Sequence, residues 1–213
     1  DNMNAYFDAN DYRVVDRTEF PKSSVVFENI WGVADESLFA NALGVIDAAV
    51  ASDKPTFMHI MTTSNHRPFT YPDGRIDIKS PGGREGGVKY TDWAIGRFID
   101  DARGKPSLDD TLVVKVADHC AAAPGTSKLP VGGYRIPLIF YAPKLVVPGE
   151  YTPTMSQIDI PPTILDVLRA DGDDHFFGRS VFEVPAAPAR AFVSNYQSLG
   201  YLRDGVLTVL TPG

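Results

Sequence analysis

The clearest pattern along the chain is helical. From Asp35, apolar residues recur every three or four positions, at Leu38, Phe39, Ala42, Leu43 and Ile46. That spacing predicts an amphipathic helix with Asp35 as its N-cap. "KPTFMHIMTTS", residues 54–64, then reads as a buried strand that opens on a proline and closes on polar residues. A loop rich in Gly, Pro and charge follows from Arg67 to about Gly87. "VKYTDWAIGRFIDDARG", residues 88–104, predicts a second helix with Ala94, Phe98 and Ala102 on one stripe and Gly104 just past its end. "TLVVKVA" and the proline-bounded "YRIPLIFYAP" read as strands. "SQIDIPPTILDVLRA" has proline in its first turn, with Ile164, Leu165 and Leu168 as the apolar side of a helix. In the tail, "RDG" predicts a hairpin turn between "GYL" and "VLTVL". Residues 1–30 are polar and irregular, with aromatic anchors at Tyr6, Phe7, Phe20 and Phe27.

Helices alternating with strands that are apolar on both faces predict an α/β fold. The expected form is a layered sheet with helices on both faces and an antiparallel hairpin at the C-terminal end. No repeat or low-complexity linker divides the chain. In such sheets ligands collect at the carboxyl ends of strands. Two strand exits carry polar clusters, "TTSNH" at 62–66 and "ADHC" at 117–120.

Composition narrows the chemistry. The 213 residues suffice for one substantial core. A net charge of -7 argues against a nonspecific nucleic-acid surface. Cys120 is the single cysteine, so an internal disulfide and a cysteine-only zinc site are excluded. No apolar run has the length of a membrane-spanning helix, and no signal peptide is evident. The opening "DNMNAYFDANDYRVVDR" lacks an initiator methionine and reads as part of something longer.

Asp118 and His119 offer a carboxylate and an imidazole side by side, which suits a divalent metal. The competing reading is an Asp cap followed by an incidental His. His66 ends a small polar run and could bind a phosphoryl oxygen or donate a proton; a loop histidine satisfied by backbone is the alternative. His59 shares a strand face with Phe57 and Met61 and reads as a core or supporting histidine, while His175 reads as a surface residue. "GGREGGVK", residues 82–89, lacks the lysine of a phosphate loop, because Val88 stands where it is needed, and reads as a flexible flap. Cys120 reads as a small filler beside the metal pair rather than a nucleophile. A Ser/His/Asp hydrolase is disfavoured by the absence of a G-x-S-x-G elbow.

"WGVADESLF", "TTSNHRPF", "GGVKYTDWAIGRFI", "VVKVADHC", "YRIPLIFYAP" and "SQIDIPPTILDVL" occur in this order. Together they resemble the sulfatase-like enzymes of the alkaline phosphatase superfamily, and most closely the lipoteichoic acid synthase and phosphoglycerol transferase branch. The resemblance covers roughly residues 1–182. It implies an alkaline-phosphatase-like fold, with residues 1–213 as the C-terminal portion of the catalytic domain. It implies that Asp118 and His119 ligate one divalent metal (Mn, Mg or Zn), that His66 contacts the phosphoryl group or headgroup, and that Asp159 supports the site. The resemblance places the family's Thr or Ser nucleophile, and a further acidic ligand, upstream of residue 1; Thr18 lacks the helix that should follow it and is a poor substitute. The implied activity is phosphoglycerol transfer or phosphodiester cleavage through a phospho-enzyme. A glycerophospholipid headgroup is the donor and a glycan or polyol the acceptor. Sulfuric or phosphoric ester hydrolysis, or a noncatalytic binding domain, are the alternatives. The resemblance further implies a periplasmic or extracellular location, with attachment to the membrane by upstream helices.

Overall fold

The computed structural model describes residues 2–52, 54–120, 128–170, 172, 175–182 and 188–212. The chain folds as two compact units, Asp1–Leu108 and Asp109–Gly213.

In the first unit, α1 (Asn2–Asp8) is a short helix in the segment expected to be irregular. It is followed by α2 (Asp35–Val50) and α3 (Gly83–Ala102), with α4 (Pro106–Asp109) a single further turn. The apolar stripes of α2 and α3 meet: Phe39 and Phe98 lie 5.1 Å apart, with Ala94 between the helices and Ile60 packed against the cluster. Burying each such ring contributes roughly 1.5–3 kcal/mol. A second cluster joins Ala34, Tyr71 and Tyr90, the two tyrosine rings stacked at 5.0 Å. Burial, reinforced by the Glu36 carboxylate, pushes the Tyr90 hydroxyl far above the usual tyrosine range.

Three expectations are corrected here. Ala34, not Asp35, is the N-cap of α2. The Asp35 side chain is fully buried and turns away to accept N–H bonds from Thr63 and Ser64 at 2.9 and 3.1 Å and the Thr91 hydroxyl at 2.6 Å. Second, "GREGG" is not a flap but the first turn of α3, with Gly86 and Gly87 buried. A Cβ at Gly82 or Gly86 would fall 2.2 or 2.1 Å from the Tyr71 hydroxyl, so these glycines serve close approach rather than mobility. Third, 54–64 forms no strand. It is extended in the sense that alternate residues face opposite ways, but no described strand pairs with it, so no ladder forms. Ile60 faces the helices, while Phe57, His59 and Met61 face outward and are exposed. His59 is therefore not a core histidine; its ring lies 5.6 Å from that of Phe7.

In the second unit, β1 (Val113–Val116) and β2 (Leu138–Tyr141) pair antiparallel, from Val113 opposite Tyr141 to Val116 opposite Leu138. A 3-10 turn (Gln157–Asp159) leads into α5 (Ile160–Val167), with proline in its first turn as expected. Leu168 is exposed, and Pro162 and Thr163 are the buried members of that helix. The end of the chain is an antiparallel sheet, β3 (Arg190–Ser194), β4 (Leu199–Arg203) and β5 (Val206–Leu210). Asp204 and Gly205 turn the expected hairpin with φ of 50° and 76°, the left-handed pair that a two-residue turn requires. No helix among the described residues is long and apolar enough to cross a membrane.

Candidate functional site

The first unit holds His66. Asp35 pins the preceding backbone through Thr63 and Ser64, and the amide of Asp35 donates in return to the Ser64 hydroxyl at 3.1 Å. The chain then turns, with the His66 amide donating to the Thr63 carbonyl at 3.1 Å and that of Phe69 to the His66 carbonyl at 2.7 Å. This leaves the His66 side chain exposed, with Nδ1 2.9 Å from the Arg67 carbonyl. A carbonyl only accepts, so Nδ1 carries the proton and Nε2 faces outward. Trp31 lies against the imidazole, ring centroids 4.1 Å apart. A tight loop presents Trp31: Asn29 and Gly32 share a backbone bond of 2.9 Å, and the Trp31 amide donates to the Asn29 side chain at 2.8 Å. Asn29 also donates to Thr70 at 3.0 Å, tying that loop to the segment after His66. Nothing local in the sequence links Trp31 to His66, 35 positions on; their contact exists only in the fold.

The second unit holds Asp118 and His119, just beyond the end of β1. Both side chains are largely exposed. The His119 amide donates to Asp118 Oδ1 at 2.9 Å, and His119 Nδ1 lies 2.6 Å from the Cys120 carbonyl. His119 is thereby held with Nδ1 protonated and the Nε2 lone pair available, the tautomer a metal-binding imidazole uses. Nε2 is 3.4 Å from Asp118 Oδ2. Two donors each about 2.1 Å from one ion at a tetrahedral angle would be about 3.4 Å apart, so the pair fits a divalent cation. They are only two donors: among the described residues no group of three or more His, Cys, Asp or Glu side chains is arranged to hold a metal. Cys120 is partly buried and adjoins the pair through its backbone. His175 is exposed, as expected.

Asp159 is buried in the same unit. Its carboxylate accepts the Ser156 amide at 2.9 Å, the Arg179 amide at 3.1 Å and the Arg190 guanidinium at 2.5 and 2.8 Å. Burial raises its pKa, but these bonds and the Arg190 charge outweigh burial and hold it below the ordinary carboxylate range. Gln157, between Ser156 and Asp159, donates from its side chain to the carbonyls of Ala117 and Asp118 at 3.1 and 2.7 Å. Gln157 is 40 and 39 positions from those partners, so no local pattern in the sequence marks it.

The sequence model of the sulfatase family matches residues 2–170. The chain is 25% identical over 174 residues to lipoteichoic acid synthase 2 of Bacillus subtilis, covering 70% of this chain and 26% of that protein. It is 25% identical over 179 residues to phosphoglycerol transferase I of Xanthomonas campestris, covering 79% of this chain and 25% of that protein. The crystal structure of a protein in the alkaline phosphatase superfamily from Vibrio parahaemolyticus matches with a TM-score of 0.85 and 34% identity, over 92% of this chain and 48% of that one. The chain thus spans about a quarter of the length of these two curated relatives and about half of the solved structure. The family match extends over most of its length and the superfamily fold over nearly all of it, so this chain belongs to the sulfatase family of the alkaline phosphatase superfamily.

Proposed function

We propose that residues 1–213 form the C-terminal part of the catalytic domain of a phosphoglycerol transferase or phosphodiesterase acting on a glycerophospholipid headgroup. The observation that carries this reading is the Asp118 and His119 pair, with donors 3.4 Å apart at a strand exit, in a sulfatase-family chain. The similarity to a lipoteichoic acid synthase and a phosphoglycerol transferase supports phosphoglycerol as the group transferred. Asp118 Oδ2 and His119 Nε2 would hold one divalent cation; manganese, magnesium and zinc all suit this oxygen and nitrogen pair. Bound there, the ion would offset charge on the phosphoryl oxygens and acidify a nucleophilic hydroxyl.

The remaining work falls to side chains. His66, with Nδ1–H fixed on the Arg67 carbonyl, presents Nε2 to the substrate. When doubly protonated it donates to a nonbridging oxygen or gives a proton to the departing lipid alkoxide. Trp31 packs against its ring and helps hold the imidazole in this orientation. The nucleophile is a Thr or Ser hydroxyl contributed by residues outside this chain. It displaces the lipid alcohol from phosphorus, and a glycan or polyol hydroxyl, or water, then takes the phosphoglycerol group. The site is expected to face the periplasm or cell exterior, attached to the membrane through helices outside this chain.

The test is His119→Ala in the intact protein. Bound manganese should fall, and release of glycerophosphate from phosphatidylglycerol should drop about 100-fold or more. Unchanged metal content and rate overturn the assignment. An intact protein that cleaves an aryl sulfate and leaves phosphatidylglycerol untouched is a sulfatase instead.

A further inference from the structure

We propose that Gln157 is a positioning residue that presets the Asp118 and His119 pair. The inference rests on the reading of those two residues as metal ligands.

Sheet pairing stops at Val116, so the carbonyls of Ala117 and Asp118 lie beyond the β1–β2 ladder. Backbone acceptors left without a partner let a segment move. Gln157 supplies both partners from one amide nitrogen, at 3.1 and 2.7 Å. Because both partners are carbonyls, the orientation of the amide follows from chemistry: only the NH2 end can face them. Gln157 is itself exposed, so its side chain is not held by burial.

The turn behind Gln157 is fixed on every side. Ser156 and Asp159 form a reciprocal capping box across it. The Ser156 hydroxyl accepts the Phe192 amide of β3 at 3.1 Å, and Asp159 is paired to Arg190 of the same strand. Gly178 presses on the turn so closely that a Cβ there would collide with the Ile158 carbonyl. The C-terminal sheet thus holds the turn, the turn holds Gln157, and Gln157 holds the two peptide groups that flank Asp118. Those peptide planes set the direction of the Asp118 side chain and the His119 amide that bonds its Oδ1. A clamp of this kind removes from metal binding the cost of ordering the ligand loop.

The test titrates the intact protein with Mn2+ alone and follows amide hydrogen exchange of residues 117–120 without metal. Four variants are compared: Asp118→Ala, Gln157→Ala, Gln157→Glu and Val193→Ala. Gln157→Glu keeps the volume but points a carboxylate at two carbonyls. Val193 is a buried residue of β3, and its truncation lowers stability while leaving in place the Phe192 and Arg190 bonds that hold the turn. Expected are loss of saturable binding in Asp118→Ala, Kd raised about 10-fold in both Gln157 variants, and wild-type Kd in Val193→Ala. Exchange at 117–120 should speed up in the Gln157 variants while β3 and β4 stay protected. If Asp118→Ala loses binding but both Gln157 variants bind and exchange as wild type, the role of Gln157 is overturned and the ligand reading stands. A Val193→Ala protein with an equally raised Kd also overturns it, since affinity would then track stability alone. If Asp118→Ala binds as tightly as wild type, the ligand reading fails and takes the role of Gln157 with it.

Discussion

Tyr71 shows how one residue decides the meaning of others. Its ring is buried and stacked on Tyr90, its hydroxyl donates to the Ile78 carbonyl at 3.2 Å, and that oxygen occupies the space a Cβ would need at Gly86. Gly86→Ala should therefore destabilise the first unit by about 1–3 kcal/mol, the usual cost of overpacking. With Tyr71→Phe the nearest obstacle recedes from the hydroxyl at 2.1 Å to the ring carbon at 3.1 Å. The double variant should then be more stable than the two single effects predict, a coupling that urea denaturation followed by tryptophan fluorescence would measure. Strict additivity would refute the steric account. The same residue explains a misreading. Glycine permits both flexibility and close approach, and "GGREGG" alone does not say which; the answer depends on Tyr71, which precedes Gly86 by a loop. Asp35 is deceptive in the sequence for a related reason. An acidic residue at a helix start looks like a cap, and nothing nearby in sequence announces that Thr63, Ser64 and Thr91 bind it.

At the scale of elements, local patterns were legible and partner-dependent ones were not. The stripe of α3, its Gly104 stop at φ 81°, the prolines of α5 and the Asp204–Gly205 turn all follow from residues within one or two turns of each other. The 54–64 segment carries the composition of a strand, yet a strand exists only beside a partner. The joint between β3 and the 3-10 turn is likewise nonlocal, and it makes a testable claim. Arg190→Met would leave the buried Asp159 carboxylate without its countercharge, costing about 3–5 kcal/mol near neutral pH. Burial raises the Asp159 pKa, and in the native protein Arg190 and two amides more than reverse this. The folded value therefore lies below the unfolded one, and the unfolded chain binds more protons between them. The resulting stability is complete above the ordinary carboxylate value of about 4 and is lost as pH falls through the lower, folded value. In Arg190→Met, burial acts with less opposition and the folded value moves up. The slope should then shrink or reverse, so that stability gains less, or falls, as pH rises through the carboxylate range. Amide exchange of β3 and β4 across pH 3–7 would show this; parallel profiles for the two proteins would contradict it.

For the molecule as a whole, Asp118 and His119 stand out in the sequence as a candidate metal pair because they come just after an apolar strand. The completeness of such a site cannot be read there, since ligands separated in sequence are joined only by the fold. Among the described residues the pair remains two donors, one oxygen and one nitrogen, both largely exposed. Two such donors chelate a divalent ion but leave most of its coordination positions to water, so little of its hydration energy is replaced. The 213-residue chain by itself is therefore expected to bind Mn2+ weakly, with Kd of about 1 mM, and to release no glycerophosphate from phosphatidylglycerol. The intact protein, with further ligands and the nucleophile proposed to lie outside this chain, should bind at least about 100-fold tighter and turn over. Isothermal titration of the two proteins side by side, followed by a glycerophosphate release assay, measures both quantities. Micromolar affinity or measurable turnover in the 213-residue chain would mean that these residues hold a self-sufficient site, and the division of the catalytic domain proposed here would be wrong.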